Sequence, residues 1–450
     1  MVKRSRKTIQ TVQPGRNWQQ YQNRLKKESA RKRSARRLPL YLLVLLFLAV
    51  FTRGAFFLLD WNMERTPLAS ERIACQGPQN LTQPLVRDLL ANRALEKIVQ
   101  ASFSFRAGIH DLTARTSIHS GLQGMLNSRI DKKYARHFGL VAIEPESGRV
   151  VAMVNYDRQE PGKNVCTQPD FPAASLFKIV TAAAAIEECG FSDNTPVTYN
   201  GKKYSLYKSQ LKPVNNRYTR HLSFAESFAD SINPVFGKIG IHRLKKEGLD
   251  KYGEAFGFNH PIPFDLPLRK SPMVIKEEPY NWAEIACGFN RKTMISPLHA
   301  AVVAAAVANQ GRLMCPTLIE AVYNDKKEAL YQRKERSCRQ TIDARTAEVL
   351  SSLMEATIKN GTARKAFRSA RRDSCLAGLT IGGKTGSINN NPLHIKYDWF
   401  AGFAEEEKSS RKLAVAVLVA HKEYIGTRAA EYAEMAFKEY FTKNPTDSRI

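Results

Sequence analysis

Within 450 residues, 69 Lys and Arg stand against 42 Asp and Glu, a formal net charge of +27, while 43% of the side chains are hydrophobic. That apolar content excludes general disorder and allows one large domain or two ordinary ones. The charge is uneven: thirteen Lys and Arg fall in the first 37 residues against Glu28 alone, so about half the excess belongs to a tail.

The next stretch of chain decides the partner of that tail. Residues 38–59 are apolar except for Arg53 and reach the length of about 20 residues that a bilayer requires. Arg53 lies toward the far end, where a long side chain reaches the headgroups. No small-x-small cleavage site comes after it, and the tail is unlike the short n-region of a signal peptide. The run is therefore expected to remain as a single-pass anchor in the cytoplasmic membrane. The positive-inside rule then keeps the basic tail, residues 1–37, in the cytoplasm and everything beyond Asp60 outside it. This reading points the tail to a membrane surface and away from nucleic acid.

Residues 60–107 read as a membrane-proximal spacer with one amphipathic helix from Leu85 to Phe103. A short strand is expected at Asp111–Thr116 and a helix from Ile118 to Ile130. Phe138–Glu144 and Arg149–Asn155 flank the turn Pro145-Glu-Ser-Gly148, a strong hairpin signal. Both strands are apolar along most of their length, so the sheet is expected to be covered on both faces. From Ser175 to Gly190 the chain is alanine-rich and free of Gly and Pro, and predicts a helix. The middle, 190–370, is expected to be mostly helical, with helices at Leu222–Lys238, Leu298–Asn309 and Ala344–Lys359. Strands at Asp398–Phe403 and Lys412–Ala420 and a helix at Arg428–Phe441 close the chain. Strands early and late around a helical middle predict an α/β (α+β) fold. Its antiparallel sheet would be built from both ends of the domain, with helices on its faces and a helical subdomain.

The seven cysteines (75, 166, 189, 287, 315, 338 and 375) form no C-x-x-C pair, which leaves zinc and thioredoxin-like chemistry without support. An odd count leaves at least one thiol free, and sequence does not assign pairs.

Three short stretches carry the chemistry. Ser175 and Lys178 are spaced i, i+3, one above the other on a helix face. At a helix start, free N–H groups and the positive dipole end favour a developing anion. A serine hydroxyl needs a base, and lysine serves only if burial or a second cation lowers its pKa. Alone, the tetrapeptide reads equally as a solvated lysine beside a helix-end serine. Ser231 and Asn233 precede Pro234, which disturbs the local turn. Gly382-Gly-Lys384-Thr385-Gly386-Ser387 suits a strand that something approaches closely, and Lys384 offers a fixed positive charge for a carboxylate. It would also depress the pKa of a nearby Lys178. Gly378 to Thr385 matches the phosphate-loop pattern letter by letter, but no helix can open at Ile388-Asn-Asn-Asn-Pro392, so the nucleotide reading fails on context.

In order and spacing, Ser-x-x-Lys, then Ser-x-Asn 56 residues on, then Lys-Thr-Gly about 150 further resembles the penicillin-binding protein transpeptidase family, whose fold is shared with serine β-lactamases. Leu112–Gln123 is similar to the family's domain entry, with His119 where the family usually has Asp. Ile295-Ser-Pro-Leu298, Gly361-Thr-Ala363 and Trp399-Phe-Ala-Gly402 also fall where its segments would. The resemblance covers residues 108–443. Ala174 stands in place of the usual Gly, and Ser387 in place of a common Thr.

The resemblance implies that Ser175 attacks a D-Ala-D-Ala carbonyl with Lys178 as base, and that Ser231 relays a proton to the leaving amine. Asn233 would hold the substrate backbone, while Lys384, Thr385, Gly386 and Ser387 would bind its terminal carboxylate end. The N–H groups of Ser175 and Ser387 would form the oxyanion hole. It implies no cofactor and no metal. The partners it implies are peptidoglycan stem peptides, β-lactams as covalent inhibitors, the membrane and other cell-wall synthesis proteins. Residues 60–107 leave no room for a glycosyltransferase module, so a monofunctional form is expected. Two alternatives remain open, an anchored β-lactamase or β-lactam sensor and a non-catalytic wall-binding scaffold. Glu277, with Asn281 four residues on, has the spacing of a lactamase deacylating glutamate, and a solvated loop is the simpler reading.

Overall fold

The computed structural model describes residues 80–442 apart from 371, 408 and 410. The basic tail and the apolar run 38–59 lie outside them, and among the described residues no helix is long and apolar enough to cross a membrane. In chain order the main elements are α1 (Gln83–Leu90), β1 (Ser102–Ala107), β2 (His110–Thr116), α2 (Ser120–Ser128), β3 (Ala135–Ile143) and β4 (Val150–Asp157). Then come α3 (Phe177–Cys189), α4 (Phe224–Ala229), α5 (Asn233–Ile239), α6 (Lys245–Ala255), α7 (Pro279–Cys287) and α8 (Pro297–Ala308). The last third holds β5 (Ile319–Tyr323), β6 (Ala329–Gln332), α9 (Ala344–Lys359), β7 (Leu379–Asn390), β8 (Ile395–Glu406), β9 (Lys412–His421) and α10 (Ala429–Thr442).

The five-stranded sheet runs β7-β8-β9-β3-β4, antiparallel throughout. The early hairpin and the late strands thus share one sheet, as their apolar runs predict. Alternation along β9 sorts its side chains between two cores. Leu413, Val415, Val417 and Val419 face the layer of α2 and α10, whereas Ala414, Ala416, Leu418 and Ala420 face α8 and the helical subdomain. Alanines on that second face let α8 pack close. All twelve residues of α8 are themselves buried, a helix enclosed on every side.

The expected helix Leu85–Phe103 is instead α1, a short turn at Leu95–Ile98 and strand β1. Ser102-Phe-Ser-Phe-Arg-Ala107 alternates with period two, and β1 pairs along its length with β2. Together with β5 and β6 these strands form a second, four-stranded sheet. The segment from Leu81 onward is built into the domain core. Leu81 N–H donates to the Leu330 carbonyl at 2.8 Å, and Val86, Leu90 and Ile98 are buried. The fully buried Asp265 carboxylate accepts from Gln83 Nε2 (2.8 Å) and from Leu318 N (2.6 Å) and Ile319 N (2.9 Å), tying α1 to β5.

Cys315 and Cys338 form a disulfide between two short paired strands, Arg312–Met314 and Ser337–Gln340. Cys166 and Cys287 are buried thiols, Cys189 and Cys375 are partly buried, and Cys75 lies outside the described residues.

Glycine positions β7 against β8. The Phe400 ring lies over Gly383 and the Phe403 ring over Gly382, at distances where an added Cβ would meet ring carbons at 2.3 and 2.6 Å. Opposite Gly383 stands Gly402, whose Cβ would come within 2.3 Å of the Gly382 carbonyl oxygen. Backbone cannot yield as a ring can. Gly402→Ala should therefore cost about 3 kcal/mol of stability, at the upper end for overpacking, and Gly383→Ala less. The midpoints of thermal unfolding of the two variants check that order.

Candidate active site

Ser175 sits in a tight 3-10 turn, Ala174–Leu176, that runs directly into α3. One helical turn on, Lys178 is wholly buried. Its Nζ lies 2.8 Å from Ser175 Oγ, 2.8 Å from Asn233 Oδ1 and 2.6 Å from the Cys287 carbonyl oxygen. Three elements, the α3 start, the α5 start and the α7 end, thus meet on one amine. Burial lowers the Lys178 pKa to about 8.

The predicted helix Leu222–Lys238 is broken at Asp230-Ser231-Ile232. α4 opens with a capping box in which Ser223 Oγ accepts from Glu226 N and Glu226 Oε2 accepts from Ser223 N. It ends at Ala229, and Ser231 takes a left-handed backbone at φ +56°. Pro234 then occupies the first turn of a new helix, where its missing N–H costs nothing. The break turns Ser231 and Asn233 toward the cleft, which both line.

β7 is the sheet's edge strand, so part of its backbone is free of ladder partners and faces the cleft. Lys384 is fully buried on it, its Nζ 3.0 Å from the Thr385 carbonyl oxygen and 5.5 Å from the Phe228 ring centroid. Burial, then the like charge of Lys178, lowers its pKa well below the usual lysine range. The sequence leads us to expect Lys384 to depress Lys178; instead burial lowers Lys178, and the like charge acts in the other direction, from Lys178 on Lys384. Thr385, Gly386 and Ser387 line the cleft. Gly386 approaches the nucleophile turn so closely that an added Cβ would lie 3.4 Å from the backbone nitrogens of Ser175 and Leu176. The strand continues unbroken through Thr385 to Asn390, without the helix a phosphate loop requires.

Six of the eight sequence-derived residues line one cleft, a space of about 1220 Å³ that leaves room for a peptide, while Lys178 and Lys384 are buried behind it, bonded to the lining residues Ser175, Asn233 and Thr385. Glu277 does not join them: its side chain is 75% exposed and paired with Lys246. The geometry gives no lactamase-type base at that position.

Several contributors carry no side-chain signal in the sequence. The Cys287 acceptor is a backbone carbonyl. Thr362 bonds the Thr385 hydroxyl and the Ala229 carbonyl, linking the α4 end to β7. Trp399 Nε1 donates to the Pro172 carbonyl at 3.0 Å, fixing the approach to Ser175. Tyr204 stands at the rim, its carbonyl accepting from Asn233 Nδ2 at 3.0 Å. The family resemblance marks Gly361-Thr-Ala363 and Trp399, but does not assign them these partners.

Gly288 ends α7 in a left-handed conformation (φ +71°), and a Cβ there would lie 1.9 Å from the Ala174 carbonyl oxygen and 2.9 Å from Ser175 N. Gly288→Ala must displace the nucleophile turn. Its acylation by a fluorescent penicillin should slow by about 100-fold, as ångström-scale misplacement does. Gly124→Ala, whose added Cβ meets nothing within 4 Å, serves as the unaffected control.

Comparison with known proteins finds relatives by both sequence and fold. The chain is 26% identical over 324 residues to peptidoglycan D,D-transpeptidase PbpA of Mycolicibacterium smegmatis, covering 62% of this chain and 61% of the relative. It is 25% identical over 332 residues to stage V sporulation protein D of Bacillus subtilis, covering 68% of this chain and 49% of the relative. The chain thus spans about half to three-fifths of these curated relatives. Among solved structures, the imipenem acyl-enzyme of penicillin-binding protein A from M. tuberculosis superposes with a TM-score of 0.61 at 22% identity, covering 73% of this chain and 79% of that one. The D,D-transpeptidase domain of a peptidoglycan glycosyltransferase from Eggerthella lenta gives 0.61 at 21%, covering 73% and 82%. Residues 138–441 match the family model of the penicillin-binding protein transpeptidase domain, about two-thirds of the sequence, and the chain belongs to that family.

Proposed function

We propose that the chain is a membrane-anchored peptidoglycan D,D-transpeptidase that forms an acyl-enzyme on Ser175 with D-Ala-D-Ala stem peptides. One observation carries the reading: a buried lysine amine in hydrogen-bond contact with a serine hydroxyl, with no carboxylate among its partners. Asn233 Oδ1 and the Cys287 carbonyl can only accept. An amine that has lost a proton donates to those two and turns its lone pair to Ser175, whose O–H then donates to it.

That arrangement sets the order of the steps. Ser175 Oγ adds to the penultimate D-Ala carbonyl while Lys178 takes its proton. Charge develops on the carbonyl oxygen between the N–H groups of Ser175 and Ser387, donors each worth about 100- to 1,000-fold in rate at comparable sites. Ser231 passes a proton to the departing D-Ala amine. Asn233 holds the peptide backbone, and Lys384, Thr385 and Gly386 bind the terminal carboxylate. A second stem peptide's amine then attacks the acyl-enzyme, and water in its place would give carboxypeptidase activity. β-Lactams would acylate the same serine, in keeping with the acyl-enzyme complexes of the M. tuberculosis relative.

The layout we propose is a cytoplasmic tail (1–37), an anchor (38–59), a membrane-proximal region (60–107) whose residues from Leu81 onward pack into the domain core, and the catalytic domain (108–443) outside the cytoplasm. The Cys315–Cys338 disulfide supports that placement, because such bonds persist in oxidising compartments.

A fluorescent penicillin should label the wild-type chain as a stable adduct near its mass of 50.7 kDa and leave Ser175→Ala dark. Equal labelling of the two would refute the assignment.

With a pKa of about 8, roughly a tenth of Lys178 is neutral at pH 7, so the acylation rate should climb about tenfold per pH unit below 8 and level off above it. The native state sheds this proton before the unfolded chain does, so the same group makes stability rise with pH between about 8 and 10.5. Lys178→Arg should abolish acylation at every pH, since guanidinium does not deprotonate. Stopped-flow acylation across pH 6 to 10, on the order of four decades of proton activity, measures both.

A further inference from the structure

One segment at the cleft mouth is not used by this mechanism. Between the paired strands Pro196–Tyr199 and Arg220–Ser223, residues 200–219 contain Lys202, Lys203, Lys208, Lys212 and Arg217 and no Asp or Glu. Among the described residues, ten large apolar side chains are well exposed, and four of them, Tyr204, Tyr207, Val214 and Tyr218, lie in this stretch. Single exposed rings are ordinary, but such a concentration beside a catalytic cleft is not.

The loop is built rather than slack. Gln210 is 6% exposed and acts as its hub. Its Oε1 accepts from Tyr207 N at 2.9 Å and Ser205 Oγ at 3.1 Å, and its Nε2 donates to the carbonyls of Asn200 (2.9 Å) and Lys202 (3.2 Å). Leu206 and Leu211 are buried beneath it, and the Tyr280 hydroxyl donates to the Leu206 carbonyl at 2.7 Å. The exposed rings are thus presented from a fixed frame, which removes much of the ordering cost of binding. That frame adjoins the site: Asn233 N donates to the Lys203 carbonyl at 2.8 Å, and Tyr204 itself lines the cleft.

We propose that this face docks the carbohydrate backbone of the strand whose stem peptide enters the cleft, an identification that rests on the transpeptidase reading. Flat aromatic rings stack on the C–H faces of sugars, and tyrosine adds a polar edge. Free carboxylates on the stem peptides make the strand a polyanion, which suits a surface with several cations and no acid. Lys203 is held by Asp230, and the Arg217 guanidinium lies 4.7 Å from the Tyr218 ring centroid, while Lys202 and Lys212 remain open to solvent. A neutral sugar chain would make no use of these cations, and a polyphosphate would make no use of the rings.

The test uses the full chain in detergent with two readouts: anisotropy of labelled, uncross-linked glycan strands bearing stem peptides, and acylation by fluorescent penicillin. Tyr207→Ala/Tyr218→Ala should weaken strand binding about tenfold. Lys202→Gln/Lys212→Gln should weaken it and flatten its salt dependence. Both should acylate within about twofold of wild type. Strand affinity unchanged in both pairs would overturn the proposal. So would inorganic polyphosphate binding as tightly as the strands with the same loss in the tyrosine pair. A wild-type chain that penicillin does not label, but that binds strands through these residues, would sink the transpeptidase reading and leave the platform standing.

Discussion

The site depends on one amine being kept out of water. Burying a lysine is costly unless its hydrogens are all received, and here three acceptors from three separate elements receive them. That requirement fixes the relative positions of the α3 start, the α5 start and the α7 end. It also explains why no carboxylate is among the partners. An acid in contact would hold the lysine charged, whereas neutral acceptors let burial prevail and bring the amine near the pH at which a base is useful.

Holding that arrangement strains the chain in two places. Ala174, just before Ser175, has φ +47°, and Ser231 has φ +56°, both in the left-handed region that residues with a Cβ avoid. Such conformations cost about 1 to 3 kcal/mol each and persist only where the surroundings over-determine them. At Ala174 those surroundings are Gly288, pressing on its carbonyl, and Gly386, against the Ser175 turn. The alanine that departs from the family pattern thus occupies a position whose backbone geometry favours glycine.

Apolar periodicity and turn chemistry made most of the main sheet readable in advance, because β3, β4, β8 and β9 are buried on both faces over most of their length and read as largely apolar runs. Helix α8 was legible for the same reason, and α9 from apolar residues at helical spacing along one buried side. Of the second sheet only β2 was legible, expected as the short strand Asp111–Thr116. Its strands β5 and β6 are five and four residues long, and β1 was absorbed into a helix whose apolar spacing is real only as far as Leu90. At the site, the family resemblance carried by the order and spacing of three motifs singled out Ser175, Lys178, Ser231, Asn233 and the Lys384 stretch. It was blind to the Cys287 carbonyl, to the Thr362 bridge and to the helix break at Ser231, since these depend on backbone direction and on residues far away in the chain. The disulfide was likewise open, as seven cysteines with no spacing signature leave many pairings.

The order of strands in the main sheet has a consequence for how the protein is made. β9 is the central strand, yet it comes about 250 residues after the β3–β4 hairpin it must join. During synthesis the hairpin emerges with the backbone N–H and C=O groups of the β3 edge unpaired and two apolar faces uncovered, and it stays so until nearly all of the domain has been translated. Pairings of such long sequence separation form slowly, and a waiting apolar hairpin invites association with other chains. Newly made molecules therefore spend their vulnerable interval late in translation, and their yield is governed by whatever shields the β3–β4 edge until β9 arrives.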